Sequence, residues 1–102
     1  MRREEAFAGD DRWVGLVRTE PGEWSGWHHH GDHETYFYVL AGELEFEYGS
    51  GAPSATVGVG GFIHMPGQFI HRERTKPPDA GALILVRMGK GPTVFNVDGP
   101  LG

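Results

Sequence analysis

Glycine and proline interrupt this chain so often that little room is left for a helix of ordinary length. Of its 102 residues, 17 are glycine and seven are proline, and both residue types weaken or end helices. The segments between them are short and rich in aromatic and β-branched residues, which is typical of strands. The pattern predicts strands, and no helix, over residues 12–19, 35–40, 43–48, 55–59, 62–65, 69–74, 82–88 and 93–97. Short strands separated by glycine-rich turns favour an all-β sandwich or small barrel.

The strand over residues 43–48 shows the cleanest alternation. Leu44 and Phe46 fall on one face, and Glu43, Glu45 and Glu47 fall on the other. Such a pattern is typical of an antiparallel strand with one buried face and one face in water. We expect the glutamates to form a solvated face that also discourages association edge to edge.

The preceding strand is apolar on both of its faces. Phe37 and Val39 share one side, while Tyr36, Tyr38 and Leu40 share the other. A second covering layer is therefore required, supplied either by the N-terminal strand or by a partner subunit. Because an uncovered apolar face commonly marks an interface, we predict a homodimer.

The size and charge of the chain limit its organisation and its partners. A length of 102 residues predicts a single domain over residues 1–102. With 14 acidic and nine basic residues the formal net charge is −5, and there is no basic cluster beyond Arg2 and Arg3. We therefore expect no nucleic-acid partner.

The absence of cysteine limits the residues that can bind a metal ion, and the short apolar runs bear on the expected cellular location. Without cysteine, disulfides, thiolate metal sites and cysteine nucleophiles are excluded, so a metal ion must be bound by His, Asp or Glu. The apolar runs are far shorter than the roughly 20 residues of a membrane helix. The N-terminus also lacks the apolar region of a signal peptide. We expect a cytoplasmic protein with no membrane partner.

Three consecutive histidines point to metal binding. They lie in the stretch GWHHHGDHETYFYVLAG over residues 26–42. Successive side chains of an extended segment point to opposite faces, so His28 and His30 share a side and His29 faces away. Two imidazoles thus converge on one point.

The spacing around these histidines resembles the first motif of the cupins. That motif runs glycine, five residues, His-x-His, three or four residues, glutamate, six residues and glycine, and Gly22, His28, His30 and Gly42 stand at the matching positions. Thr35 stands where the motif places its metal-binding glutamate. The resemblance therefore comes with one ligand missing.

A second cupin motif follows after 17 residues. Its first glycine, its proline and its histidine correspond to Gly60, Pro66 and His71. Gln68 replaces the second glycine, although the neighbouring Gly67 can supply the turn, and Thr75 replaces the terminal asparagine. Together the motifs make this chain similar to small single-domain cupins.

The resemblance implies a fold and a metal site. The fold is a cupin-type jelly-roll β-barrel of two antiparallel sheets, with a divalent transition metal ion held by His28, His30 and His71. Imidazole suits Zn, Fe, Ni, Mn and Cu, so the ligands do not distinguish these ions. His33 is a candidate fourth ligand if a bulge near Gly31 turns it inward. Glu34 and water are the alternatives.

Two functions fit such a site. The first is a metal-dependent oxygenase or isomerase acting on a small organic molecule, and the second is a non-catalytic module that binds or senses a small molecule. No residue stands out as a general base. Glu73 shares the face of His71 and can orient an imidazole, although a position facing solvent at the rim is the simpler interpretation. His64 is interpreted as structural or as lining the barrel mouth.

Overall fold

The computed structural model describes residues 2–49 and 54–99, which form ten strands and no helix, and hence no helix able to cross a membrane. The sequence also predicts a loop over residues 49–53, of which only Gly49 lies within the described residues. The strands are β1 (Arg2–Gly9), β2 (Arg12–Thr19), β3 (His28–His29), β4 (Glu34–Ala41), β5 (Leu44–Tyr48), β6 (Ser54–Val57), β7 (Phe62–Met65), β8 (His71–Thr75), β9 (Gly81–Met88) and β10 (Phe95–Asn96).

The strands form two five-stranded sheets. The first sheet has the order β1-β2-β9-β4-β7, and the second has the order β10-β3-β8-β5-β6. All strand pairs within the two sheets are antiparallel. The prediction of an all-β fold built from two antiparallel sheets is therefore confirmed.

Two of these strands were not predicted from the sequence. Strand β1 reads RREEAFAG and is exposed along its whole length, so no buried face imposes an alternation on it. It pairs with β2 at the edge of the first sheet, with a bulge between Glu5 and Phe7. Strand β3 has only two residues, too few to give a periodic pattern. Tertiary pairing, rather than sequence pattern, defines both strands.

The hydrophobic core lies between the two sheets. The first sheet supplies most of its inward side chains, in agreement with the alternation of its strands. The buried apolar residues are Val17, Phe37, Val39, Met65, Leu83 and Leu85 from the first sheet and Leu44 and Phe46 from the second.

The outer face of the first sheet is apolar and partly exposed. Tyr36 and Leu40 on β4 and Ile84 and Met88 on β9 are each between 38% and 46% exposed. Strand β1 extends this sheet at its edge and does not lie over its face. The first predicted strand, residues 12–19, is β2 and is itself part of this sheet. Among the described residues, neither β1 nor β2 therefore provides the predicted cover.

The outer face of the second sheet is charged. The Nε atom of Arg72 donates to Glu47 at 2.7 Å, and that of Arg74 donates to Glu45 at 2.8 Å. Both pairs join β8 to β5 across the strands. Two of the three glutamates predicted to form a solvated face, Glu45 and Glu47, are thus paired with arginines of the neighbouring strand.

Candidate metal centre

Strand pairing brings the first and the last of the predicted ligands together. His28 on β3 lies directly opposite His71 on β8 in the antiparallel register. Directly opposed residues have their Cα atoms about 4.5–5.5 Å apart, and their side chains share a face. Both histidines point inward, and His71 is fully buried. Residues 43 positions apart in the chain therefore become neighbours.

A close backbone contact fixes the position of His30 after the end of β3. The amide of His30 donates to the carbonyl of Gly67 at 2.7 Å. A Cβ atom at position 67 would lie 2.2 Å from the carbonyl oxygen of Gly31, so only glycine fits there. Gly67, rather than the motif position occupied by Gln68, permits this approach.

The three imidazoles of His28, His30 and His71 form one buried group. One ring nitrogen from each lies within 4.8 Å of the others. The ring centroids are 4.9 Å apart for His28 and His30, 4.4 Å for His28 and His71, and 5.3 Å for His30 and His71. The structure thus brings together the three histidines that the two motifs indicate as metal ligands.

Hydrogen bonds set the tautomer of each ring. The Nδ1 atoms of His28, His30 and His71 lie 2.7, 2.7 and 2.8 Å from the carbonyl oxygens of Gly26, Thr93 and Phe69. A carbonyl oxygen only accepts, so Nδ1 carries the proton and Nε2 keeps a free lone pair. An Nδ1–H bonded to a carbonyl is the usual support of a metal-binding histidine.

Two of these lone pairs are buried without a partner. Nε2 of His30 and Nε2 of His71 have no hydrogen-bond partner among the described residues. A buried polar atom with no partner is costly. An ion bound by these nitrogens would remove that cost, so the donor set fits a transition metal ion.

Burial keeps the imidazoles neutral. Burial is the largest cause that lowers the pKa of His30 to about 3 and that of His71 to about 4. The charge of Arg87 lowers both pKa values further. Both rings are therefore neutral near pH 7, which is the form that binds a metal ion.

The candidates for a fourth ligand lie elsewhere. His33 is buried, but its Nε2 atom lies 2.9 Å from the carbonyl oxygen of Gly91, and it is not part of the group of three. Glu34 points outward, accepts from the amide of Gly67, and lies 3.4 Å from the exposed His64. His64 thus faces away from the barrel interior.

Thr35 and Arg87 together occupy the position of the missing glutamate. They are directly opposed on β4 and β9, and Nε of Arg87 donates to Oγ1 of Thr35 at 3.1 Å. Thr35 has no exposed surface, and Arg87 is 6% exposed. Burial lowers the pKa of Arg87, yet guanidinium stays charged in proteins. A cation therefore lies next to the position at which the motif places an anion.

A cavity of about 430 Å³ lies beside the histidines, between the sheets. It is lined by His28, His30 and Glu73 on one side and by Phe37, Leu85 and Arg87 on the other. Oε1 of Glu73 lies 3.8 Å from Nε2 of His28. Burial raises the pKa of Glu73, while the nearby charges of His28 and Arg87 oppose this shift.

Sequence reasoning missed or undervalued three of these features. Glu73 was placed at a solvent-facing rim, although its shared face with His71 indicated the interior. Arg87 alternates with the apolar Leu83 and Leu85, a pattern that indicates a charge on the core side of a strand. The hydrogen bond that orients His30 goes to the backbone carbonyl of Thr93. Every residue type has this group, so the sequence does not indicate the bond.

A family model for the Cupin domain (Cupin_2) matches residues 15–91. The chain belongs to the cupin family. The resemblance carried by the two motifs is thereby confirmed, and the jelly-roll fold with it. No curated protein matches the sequence.

Solved structures show the same fold. A conserved protein with a double-stranded β-helix domain from Klebsiella pneumoniae is 17% identical with a TM-score of 0.79, over 96% of this chain and 80% of that chain. A cupin-2 domain protein from Shewanella frigidimarina is 20% identical with a TM-score of 0.70, over 83% and 78%. The DMSP lyase DddQ of Ruegeria pomeroyi is 28% identical with a TM-score of 0.66, over 81% of this chain but only 41% of that chain.

Proposed function

We propose that this cupin binds a divalent transition metal ion through the Nε2 atoms of His28, His30 and His71 and acts on a small organic molecule. The observation that carries the proposal is the set of three converging imidazoles, each with its Nδ1 proton donated to a backbone carbonyl. This arrangement leaves three Nε2 donors within 4.8 Å of one another. Zn, Fe, Ni, Mn and Cu all accept such donors.

The cavity supports a catalytic role. Three protein ligands leave coordination positions open for a water or a substrate. When bound, a transition metal ion supplies Lewis acidity or redox chemistry, which suits an isomerase or an oxygenase. Phe37 and Leu85 offer an apolar wall for the substrate. Glu73 places a carboxyl group near His28 that can accept or donate a proton.

The comparison with a lyase also supports the enzyme hypothesis. DddQ of Ruegeria pomeroyi is a DMSP lyase, and the matching part of its structure has the fold of this chain. An enzymatic reaction is therefore compatible with this fold.

Metal binding is tested on protein purified without an affinity tag, because a polyhistidine tag would itself bind metal. We expect about one equivalent of metal per chain after loading with Zn, Mn, Fe, Ni or Cu. Isothermal titration gives the affinity for each ion. A protein that is folded but binds none of the five ions would contradict the proposal.

A binding or sensing module is the second candidate function. One observation favours it: the carbonyl of Thr93, near the C-terminus, orients His30 in the metal group. Occupation of the site can therefore change the packing of the segment that follows β9. Oxygen consumption or substrate turnover by the metal-loaded protein favours the enzyme. A ligand that raises the melting temperature without turnover favours the sensor.

We also propose that the chain forms a homodimer through the outer face of the first sheet. That face carries exposed apolar side chains on β4 and β9, and β1 does not lie over it. Self-association would remove this apolar surface from water. Sedimentation at micromolar concentration tests the proposal, and a monomer would contradict it. A cytoplasmic location remains a prediction.

A further inference from the structure

Arg87 is a buried cation without a matching carboxylate. Only 6% of Arg87 is exposed to solvent. Its guanidinium donates a hydrogen bond to the neutral hydroxyl of Thr35. Among the described residues, no carboxylate oxygen lies within ion-pair distance of its guanidinium. A buried charge is usually paired, because removing it from water unpaired is expensive.

The guanidinium faces the same cavity as the metal group. Arg87 lines the cavity together with His28 and His30. A second cation, Arg3 of β1, also lines it, and its charge lowers the pKa of Arg87. Three carboxyl groups, those of Glu20, Glu23 and Glu73, also line the cavity, and that of Glu73 lies against His28. Among the described residues, none of the three lies within ion-pair distance of the guanidinium of Arg87.

We propose that Arg87 forms an anion subsite, and that the small molecule bound in this cavity carries a carboxylate group. This inference names the ligand class of the site proposed above and rests on that proposed function. A guanidinium binds a carboxylate through two parallel hydrogen bonds. Arg87 already uses Nε on Thr35, and its two terminal nitrogens remain for the ligand.

The rest of the cavity defines the body of that ligand. Phe37, Leu83 and Leu85 of the first sheet give it an apolar wall. A carboxylate at Arg87 places the remaining carbon skeleton along this wall and toward the histidines. The predicted ligand is a small organic acid with an apolar body. An anion located between Arg87 and a bound metal ion would also reduce the repulsion between these two cations.

The test compares carboxylates with their neutral amides on metal-free protein. The probes are benzoate and 4-methylpentanoate, matched with benzamide and 4-methylpentanamide. Metal is removed first, so that the probes cannot bind through a metal ion. A chelating resin is used for this step because soluble chelators are themselves carboxylates. We expect both acids, but neither amide, to raise the melting temperature of the wild-type protein.

Variants locate the binding group. Arg87→Met is expected to bind benzoate at least about tenfold more weakly than wild type, because a charged, two-point hydrogen bond is lost. Arg87→Lys keeps the charge without the planar fork and is expected to bind with an intermediate affinity. Arg18→Met is the matched control, since Arg18 lies on the exposed side of β2 and is paired with Glu4.

Equal stabilisation by acids and amides in the wild type would overturn the proposal, and this comparison needs no variant to fold. Unchanged benzoate affinity in Arg87→Met would also overturn it. Zinc titration separates this inference from the proposed function. Zinc binding with no preference for acids rejects the anion subsite alone. Preference for acids through Arg87, without zinc binding, rejects the metal site alone.

Discussion

The two sheets of this barrel differ on both of their faces. The second sheet and the loop after β3 supply the buried histidines, and the outer face of that sheet is covered by Arg–Glu pairs between β8 and β5. The first sheet supplies most of the apolar core and Arg87, and its outer face is apolar and partly exposed. The difference fits the proposed division of roles, in which the second sheet provides the candidate metal ligands and the first provides the pocket wall and the proposed subunit contact.

Strand register explains why His28 and His71, two of the candidate ligands, come from the same sheet. His28 and His71 are directly opposed on neighbouring antiparallel strands, which holds their side chains at a nearly fixed separation. His30 follows on the same face of the chain.

The largest expected effect comes from removing a histidine of the second sheet. His71→Ala is expected to weaken zinc binding by at least about 100-fold, because one of three strong donors is lost. The control is His64→Ala, which removes an exposed histidine from the outer face of the first sheet. Isothermal titration measures both variants, and circular dichroism checks their folding. Similar losses in the two variants would contradict the division of roles.

A charge on the outer face of the first sheet is expected to break the dimer. Ile84→Glu places a carboxylate among exposed apolar side chains and is expected to raise the dimer dissociation constant by about 100-fold. Thr56→Glu makes the same chemical change on the outer face of the second sheet, where Thr56 is paired with Glu45, and should leave association unchanged. Sedimentation velocity compares the two. Dissociation by Thr56→Glu alone would reverse the assignment of the interface.

Much of the fold could be predicted because apolar and polar residues alternate along a strand that has one buried face. Strand β2 has the predicted bounds, and the alternation of β5 correctly separated its buried apolar side chains from its partly buried glutamates. Strand β1 could not be found in this way, since all of its side chains are exposed and only its hydrogen bonds to β2 define it. Periodicity detects a strand with a buried face, and it does not detect one held at a sheet edge.

The candidate site was predictable to a lesser degree. Alternation alone places His28 and His30 on the same face. Their contact with His71 depends on the register between strands that are distant in the chain, and only the motif spacing indicated this contact. Arg87 needed the additional knowledge that Leu83 and Leu85 face the interior. The carbonyl of Thr93 that orients His30 was not predictable, because any residue at position 93 offers the same atom.

That carbonyl makes the metal group sensitive to the segment after β9. The ring of Phe95 stacks on His29 with a centroid distance of 4.9 Å, and it contacts the backbone near Gly31. Phe95→Ala is expected to loosen this segment and to weaken zinc binding by about tenfold, as for the loss of an orienting hydrogen bond. Phe7→Ala removes an exposed phenylalanine from the edge of the first sheet and serves as the control. Equal zinc affinities in the two variants would show that His30 keeps its orientation without the segment.

The buried histidines also predict how stability depends on pH. The pKa values of His30 and His71 in the folded protein, about 3 and about 4, lie below the ordinary value of 6.5. Below pH 6.5 the unfolded chain therefore binds more protons, and metal-free protein loses stability as the pH falls toward 4. The slope approaches about 1.4 kcal/mol per pH unit for each histidine.

Urea unfolding of metal-free protein between pH 8 and pH 4 measures this slope. His64→Ala should leave the profile unchanged, since His64 is exposed. His71→Ala should flatten it, because one of the two buried rings with a lowered pKa is absent. A flat profile in the wild type would mean that the rings bind protons in the folded state as readily as in the unfolded chain.

The smallest expected effect concerns Glu73, the carboxyl group next to the histidines on β8. Glu73→Gln keeps the shape and removes the negative charge 3.8 Å from Nε2 of His28. Because the carboxyl group is partly exposed, we expect zinc binding near neutral pH to weaken by only about threefold to tenfold. Burial raises the pKa of Glu73, so at low pH the protonated side chain resembles glutamine and the difference between wild type and variant should vanish. As the pH rises the carboxylate ionises and the difference should grow. A difference that is the same at every pH would indicate that Glu73 acts on the site through packing, since packing does not follow its ionisation.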